Sequence, residues 1–401
     1  MTRYREVLAV PGMASLMGSS LLARTAITAN ATALIMFVVL ALDLSYAAAG
    51  GVAAALTAGV ALSGPLLGRL IDWRGLRTVV LTTVAAQAVF WLSVPLMSYS
   101  VLLVAALAAG LLMVPAQSVT RQAIAAMTTV PQRRAAFALE AVQGELSYLV
   151  GPAVVILFAA NTSPEAVAWG VGAAIAVGGA WIGLLNPPLR TADEADADTG
   201  PRPPRREWLN LRMIAVLTMA VGVTTLLGGI DLAVIATLEE AGQVSRAALV
   251  VAVLGIASVT GGLIYGSQAR SLPTWLLLGL LGLATIPLGL AADWRWLAAA
   301  AVIAGLLTAP TLSTVADAVS ALAPAPVRGE ATGLQSSAQS AGLALGAPLA
   351  GFAIDLTAPA GGFAAAGIAG LAAAAVGLLL TRRSPAATPS DDSVGVAAEG
   401  D

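Results

Sequence analysis

The chain has 401 residues, 58% of them hydrophobic and only 10% charged, with a mean hydropathy of +0.87; soluble domains carry about a quarter charged residues, so this chain would expose adhesive surface everywhere in water. It holds no Cys and no His, and all 20 of its basic residues are Arg, which removes Walker A loops, Schiff bases, thiol nucleophiles, Ser–His pairs and the usual zinc sites. The net charge of −2, spread over loops, marks no nucleic-acid surface, and without Cys there is no disulfide evidence of compartment.

Apolar runs recur along the chain at about 14–40, 46–67, 78–97, 101–124, 135–158 and 166–186, then 212–236, 247–267, 273–291, 296–319, 330–353 and 361–381. Each suits a helix crossing ~30 Å of hydrocarbon. The first is too long for the apolar stretch of a signal peptide and is interrupted by Arg24, so it reads as a retained span. The expectation is an all-α membrane protein of twelve transmembrane helices. An even number places both termini on one side. Only Arg246 and Arg295 fall on the other side and Arg24 within a span, which leaves 17 of the 20 Arg with the termini. That bias predicts cytoplasmic termini and a multi-pass protein of the cytoplasmic (inner) membrane.

Residues 189–208 read LRTADEADADTGPRPPRREW, acidic and then Pro- and Arg-rich. Such composition stays solvated. The predicted organisation is therefore an N-terminal six-helix bundle (1–188), a cytoplasmic linker (189–210), a C-terminal six-helix bundle (211–383) and a disordered cytoplasmic tail (384–401).

The two halves repeat each other. Ala109-Gly110-Leu111-Leu112-x-x-Pro115-x-x-Ser118 recurs as Ala304-Gly305-Leu306-Leu307-x-x-Pro310-x-x-Ser313, an offset of 195. In the same register Pro131 meets Pro326, Arg133 meets Arg328, Leu139 meets Leu334 and Gly151 meets Gly346, and Gly64 and Gly68 meet Gly262 and Gly266 at offset 198. Matches at residues other than Ala and Leu argue against chance. Two halves in the same order imply an axis along the membrane normal, about which one half can rock against the other around a central site.

The loop after span 2 reads Gly68-Arg69-Leu70-Ile71-Asp72-Trp73-Arg74-Gly75-Leu76-Arg77. In residues, spacing and topological place it resembles the signature of the major facilitator superfamily between spans 2 and 3, roughly G-x-L-a-D-r-x-G-r-r. The resemblance implies two pseudo-symmetric six-helix bundles and alternating access. It also implies a cytoplasmic gate network of Asp72, Arg74 and Arg77, with Gly68 and Gly75 permitting tight turns and Asp72 free to pair with Arg or a helix N-terminus. The second-half counterpart is degenerate, with Arg270 where Asp72 stands. Gly151-Pro152 is similar to a fragment of the drug-antiporter signature in span 5. Ser147 and Val155 occupy its usual glycines, however, and Ala105 or Ala106 occupies the region of the antiporter arginine in span 4.

Ionisable residues inside spans are costly and point to function. Arg24 lies about 12 residues into span 1 and Glu145 about 10 into span 5, roughly 18 and 15 Å deep. The similar depth suggests an Arg24–Glu145 pair, with Glu140 nearer the cytoplasm. Such a pair either exchanges partner for proton or merely fixes helix packing. Glu140 and Glu145 point about 140° apart. Glu140 shares its face with Gly144, Ser147 and Gly151, whose glycines permit close helix contact. The repeat sets Gln335 and Ser340 in place of the two acids. Asp231 near the outer end of span 7, Asp317 near the inner end of span 10, and Arg121 are candidate gate charges, or plain interfacial ones. Thr28, Asn30, Thr32, Gln117, Thr308 and Ser313 are candidate cavity residues, with Gln143 and Tyr148 beside them; equally, Ser and Thr often bond their own helix.

The resulting expectation is a monomeric, lipid-embedded secondary transporter without a cofactor. It moves a small, amphipathic or drug-like molecule outward in exchange for protons, the proton gradient being the energy source. The alternative is proton-coupled or facilitated uptake of a sugar, nucleoside or amino acid. An intramembrane enzyme is disfavoured by the missing His and Lys; Gly228-Gly229-Ile230-Asp231 resembles a paired-aspartate motif only superficially. A receptor or scaffold is disfavoured by the intact loop and the buried charges.

Overall fold

The computed structural model describes residues 2–159, 161–191, 194, 203–268, 271–291 and 293–383. Every element among these residues is helical. Eleven helices are long and apolar enough to cross a membrane, and a twelfth, Thr274–Leu290, is apolar but shorter. Spans 1–3 are Met13–Leu40, Tyr46–Arg74 and Leu76–Ser93. Span 4 is the broken pair Tyr99–Leu111 and Ala116–Met127, and spans 5 and 6 are Val130–Ala159 and Pro164–Leu185. Spans 7–12 are Leu211–Glu240, Ala247–Ser267, Thr274–Thr285, Trp294–Leu322, Arg328–Leu356 and Pro359–Arg383. A short helix, Thr2–Leu8, precedes span 1. The predicted tail (384–401) and Arg270 lie outside the described residues.

Several starts are capped by the residue type that physics favours there. Ser45 accepts the Ala48 N–H, Ser163 that of Ala166, Asn210 those of Arg212 and Met213, and Asp293 those of Arg295 and Trp296. Each such cap stabilises its helix by about 1 kcal/mol. Hydropathy placed the spans but cut some short: span 2 continues to Arg74, span 5 starts at Val130 and span 11 ends at Leu356. A helix can outrun the hydrocarbon into polar sequence, where an apolar pattern no longer reports it. Span 9, expected at 273–291, is the apolar stretch Thr274–Leu290, a helix finished by a 3-10 turn, Ile286–Leu290, that carries Pro287. Span 3 ends the same way at Val94–Leu96, through Pro95.

The break in span 4 falls at a proline and has a local remedy. Pro115 has no N–H to continue the ladder, and the chain is non-helical from Leu112 to Pro115. Gln87, fully buried on span 3, donates from Nε2 to the carbonyls of Ala109 (2.7 Å) and Leu112 (3.2 Å). In the second half Pro310 sits inside an unbroken helix.

The repeat is geometric as well as sequential. Gly110 lies against the carbonyl of Leu56, and Gly305 against that of Leu254. Gly151 lies against Thr25 and Ala29, while Gly346 lies against Thr225 and Gly229, each partner 200 residues on. A Cβ at any of these glycines would overlap backbone, so their conservation of size across the repeat fixes matching helix crossings. Each half also buries its own core: Phe37, Phe90, Trp91 and Leu102 among spans 1–6, and Leu226, Leu278, Leu297 and Phe363 among spans 7–12.

Both Thr2 and Arg383 fall on one face, here the terminal face. The halves meet there. Span 2 crosses span 11 where Gly64 and Gly68 press on Gly333 and Gly329. Span 5 meets span 8 where Ala138 and Val142 pack on Gly266 and Gly262. Spans 5 and 11, the repeat equivalents, are mostly covered in their terminal-face halves and mostly exposed beyond Glu145 and Ser340. The two bundles thus press together at the terminal face and lose cover toward the opposite one.

Candidate functional site

At the terminal face Gly75 separates spans 2 and 3 with φ +84°, a backbone state that glycine adopts without strain. The turn positions Asp72, whose Oδ1 accepts the Gly329 N–H at 2.9 Å and whose Oδ2 accepts the Glu330 N–H at 3.0 Å. These donors belong to the first turn of span 11, which has no preceding turn to accept them, and there a negative charge also meets the helix dipole. The contact requires Gly329, because a Cβ there would collide with Asp72. Arg74 and Arg77 are exposed, and Arg74 lies over the Trp73 ring at 5.3 Å. Two residues of the linker region bind the same helix end. Glu194 takes Arg328 in a bidentate pair (2.7 and 3.1 Å), and Arg205 Nε donates to Glu330 at 2.6 Å. The Arg328 guanidinium holds the Glu194 carboxyl down at about 2. A cleft of about 500 Å³ opens beside Asp72, lined by Gly75, Gln122, Asn186 and Arg190.

Deeper, Arg24 Nη1 binds Glu140 Oε1 at 2.5 Å and Arg121 Nε approaches Glu140 Oε2 at 3.2 Å. Arg121 Nη1 also donates to Gln339 Oε1 of span 11 at 3.1 Å. Glu140 is 0% and Arg121 2% exposed. This corrects the expected Arg24–Glu145 pair. Helical side chains lean toward the helix N-terminus, so Arg24 reaches back toward the terminal face and meets the shallower acid. The face of span 5 that holds Glu140 is indeed the one on span 1: Gly144 lies against Arg24, Ser147 Oγ accepts from Thr25 at 3.2 Å, and Gly151 lies against Thr25. Arg121, expected at a mouth, is instead enclosed. Through Gln339 the cluster ties the first half to span 11. In the second half Gln335 stands where Glu140 does, fully buried with neither amide atom hydrogen-bonded.

A second polar group lies further from the terminal face. The Tyr148 hydroxyl donates to Asp231 Oδ2 at 2.9 Å, joining span 5 to span 7. Glu145, one turn before Tyr148, is within electrostatic reach of Asp231 and Arg24 and faces Ser258 of span 8. Among the described residues no ion pair engages Glu145 or Asp231. Asp317 is half-buried near the terminal face with Arg133 and Arg134 within electrostatic reach.

The candidate cavity residues divide. Thr28 bonds the carbonyls of Thr25 and Ser147, and Gln143 Nε2 donates to the Met17 carbonyl at 2.8 Å; both serve the span 1–span 5 contact. Asn30 is buried, with Nδ2 on Met113 Sδ. Thr308 is buried on its own helix carbonyl, that of Ala304, and Ser313 is buried as well. These three line no open space, because inward-facing small polar residues at helix crossings are covered by the neighbouring helix. Thr32 and Gln117 are half-buried. Sequence reasoning missed Gln87, Gln339 and Ser258; single neutral polar residues in an apolar run carry no pattern, and their partners come from other spans. Among the described residues no group of three or more acids is arranged for a metal ion.

The family model described as Major Facilitator Superfamily matches residues 16–291 and 219–397, and the chain belongs to that superfamily. It is a multi-pass membrane transporter of the secondary kind, not an enzyme. No curated protein sequence matches it. Solved structures share the fold. The human organic anion transporter MFSD10 (TETRAN) is 16% identical with a TM-score of 0.72, over 93% of this chain and 99% of that one. The proton:xylose symporter XylE, bound to 6-bromo-6-deoxy-D-glucose, is 14% identical with a TM-score of 0.69, over 96% of each chain. A bacterial homologue of the iron transporter ferroportin in an outward-facing state is 14% identical with a TM-score of 0.73, over 92% of this chain and 99% of that one.

Proposed function

We propose that this protein exports a small amphipathic molecule across the cytoplasmic membrane by alternating access, in exchange for protons. It works as a monomer in lipid with both termini in the cytoplasm. One observation carries the reading: the halves are locked together at the Arg-rich terminal face, while Glu145, Tyr148 and Asp231, drawn from both halves, lie beyond the lock where spans 5 and 11 are exposed. This is one end state of a rocking cycle, with the terminal face shut. Asp72 and the Gly68–Gly329 contact serve as the gate on that side. The Arg24–Glu140–Arg121 cluster serves as a fixed brace, since all three charges are committed, with Glu140 and Arg121 buried and Arg24 partly so. Glu145, without an arginine partner, serves as the proton carrier.

Proteoliposomes with an imposed pH gradient test this. A compound panel is screened for flux and for substrate-driven proton movement. Outward flux that acidifies the compartment the substrate leaves supports the reading. Flux in the same direction as protons would assign uptake instead, and flux of solute unaffected by any pH gradient would remove the coupling.

A further inference from the structure

The short helix Thr2–Leu8 is fixed to the first half. Its Val7 is fully buried in one apolar cluster with Met13 of span 1, Ile124 of span 4 and Phe137 of span 5. Its polar contacts cross to the second half. The Tyr4 hydroxyl donates to the Leu263 carbonyl of span 8 at 2.5 Å, with the Gly262 carbonyl at 3.4 Å. Arg3 Nη1 donates at 2.5 Å to the carbonyl of Gln268, the residue after span 8, and Arg134 of span 5 donates to the same oxygen at 2.9 Å. Gly266 permits this approach, because a Cβ there would collide with both the Tyr4 hydroxyl and Ala138 of span 5. Burial pushes the Tyr4 phenol up to about 12, so it remains a donor at any working pH. The repeat gives these contacts their meaning. On the span 2–span 11 side the halves are joined by Asp72, which accepts two N–H groups at the start of span 11. The repeat counterpart of Asp72 is Arg270, and an arginine side chain has no acceptor to offer the start of span 5. The span 5–span 8 side therefore cannot be joined by the same bond. What joins it has the opposite polarity: two cations at the carbonyl end of span 8, where the helix dipole favours positive charge, with a phenol one turn earlier.

We infer that the helix Thr2–Leu8 is the clasp of the terminal face on the span 5–span 8 side, with Tyr4 and Arg3 as positioning residues that hold the shut state in place of a second Asp72. The clasp rests on the reading of the shut terminal face as one end of a rocking cycle, and it adds a second lock to that face. Parting span 5 from span 8 breaks the Tyr4 and Arg3 bonds together, while Val7 keeps the helix on the first half. The clasp therefore travels with the first half and releases the second. Because the two halves move as bodies, loss of the clasp on one side is felt at the Gly64–Gly333 contact on the other.

The test reads that remote effect in the full chain, purified in detergent, which has no Cys of its own. Ser337→Cys places a thiol between spans 2 and 11, away from the helix that is altered, and its maleimide labelling rate follows the open fraction of the terminal face. Tyr4→Phe and Arg3→Gln each raise that rate about 2- to 10-fold, the worth of one hydrogen bond. Together they raise it by about the product. Arg3→Lys, which keeps a cationic donor, restores the slow rate, and Glu6→Gln, on the exposed face of the same helix, leaves it unchanged. Thr83→Cys, buried in span 3 inside the first half, reports unfolding instead of opening and keeps its rate in every variant. An unchanged Ser337→Cys rate in the combined Tyr4→Phe and Arg3→Gln variant would overturn the clasp, and so would a rise matched at Thr83→Cys. Either outcome leaves the transport reading standing, since labelling needs no substrate and transport is decided by flux in proteoliposomes.

Discussion

The Arg24 guanidinium binds the Glu140 carboxylate at 2.5 Å, although Glu145 lies five residues further along the same helix. Glu140 also faces Arg121 at 3.2 Å, so one carboxylate serves two cations, one buried and one partly buried. Removing it leaves two arginines uncompensated in a water-poor interior, a change that costs about 3–5 kcal/mol. Glu140→Gln is therefore expected to lower stability sharply, while Glu145→Gln, which breaks no ion pair, leaves it nearly unchanged. Thermal unfolding of both variants in the same detergent checks this; equal losses would contradict the division into brace and proton carrier.

The terminal-face lock depends on backbone approach as much as on charge. A Cβ at Gly333 would run into the Gly64 carbonyl, and one at Gly329 into Asp72. Gly333→Ala is thus expected to hold the terminal face open. Asp72→Asn weakens the lock less, by about 0.3–2 kcal/mol of charge–dipole interaction. The chain has no Cys, so a single cysteine at Ser337, a side chain pressed between spans 2 and 11, reports closure without background. Its maleimide labelling should rise in the order wild type, Asp72→Asn, Gly333→Ala. Unchanged labelling in Gly333→Ala would place the gate elsewhere.

These residues also show what was legible in sequence. Spans follow from hydropathy because lipid demands long apolar helices. The repeat was visible through glycines such as Gly110 and Gly305, since close backbone approach admits no other side chain. The capability of Asp72 to cap a helix was readable from its motif, though not which helix. The Arg24 pairing was misread because depth along the axis was compared without the lean of a long side chain toward its helix N-terminus. Asn30 and Thr308 were misplaced for a different reason: polarity alone does not say whether a helix face meets a cavity or a neighbouring helix. Gln339 was invisible because its partner, Arg121, comes from the other half.

Glu194 and Arg328 give a pH signature outside the membrane. The carboxyl is held at about 2 against an ordinary 4.5. A depressed carboxylate contributes stability that is complete above its unfolded value and is lost as pH falls through the folded one. The difference in stability between wild type and Glu194→Gln should therefore be constant from neutral pH down to about 5, shrink below about 4 and vanish near 2. Unfolding midpoints of the two proteins across that range check it. A difference that persists at pH 2 would mean that Glu194 acts through packing and not through its charge on Arg328.

Gln87 is expected to matter more than its neutral side chain suggests. Its Nε2 binds the carbonyls of Ala109 and Leu112, which the break before Pro115 leaves without helical partners. Gln87→Leu keeps the volume and strands those acceptors, at about 1–3 kcal/mol. Pro115→Ala removes the ring that opposes a helix at Leu112–Pro115; in a continuous helix the N–H groups of Met113 and Ala116 take the two carbonyls, so the loss in Gln87→Leu should shrink when the two changes are combined. A double-mutant cycle on unfolding free energy reads this directly. Additive effects would show that the glutamine stabilises span 3 for reasons unconnected with the break.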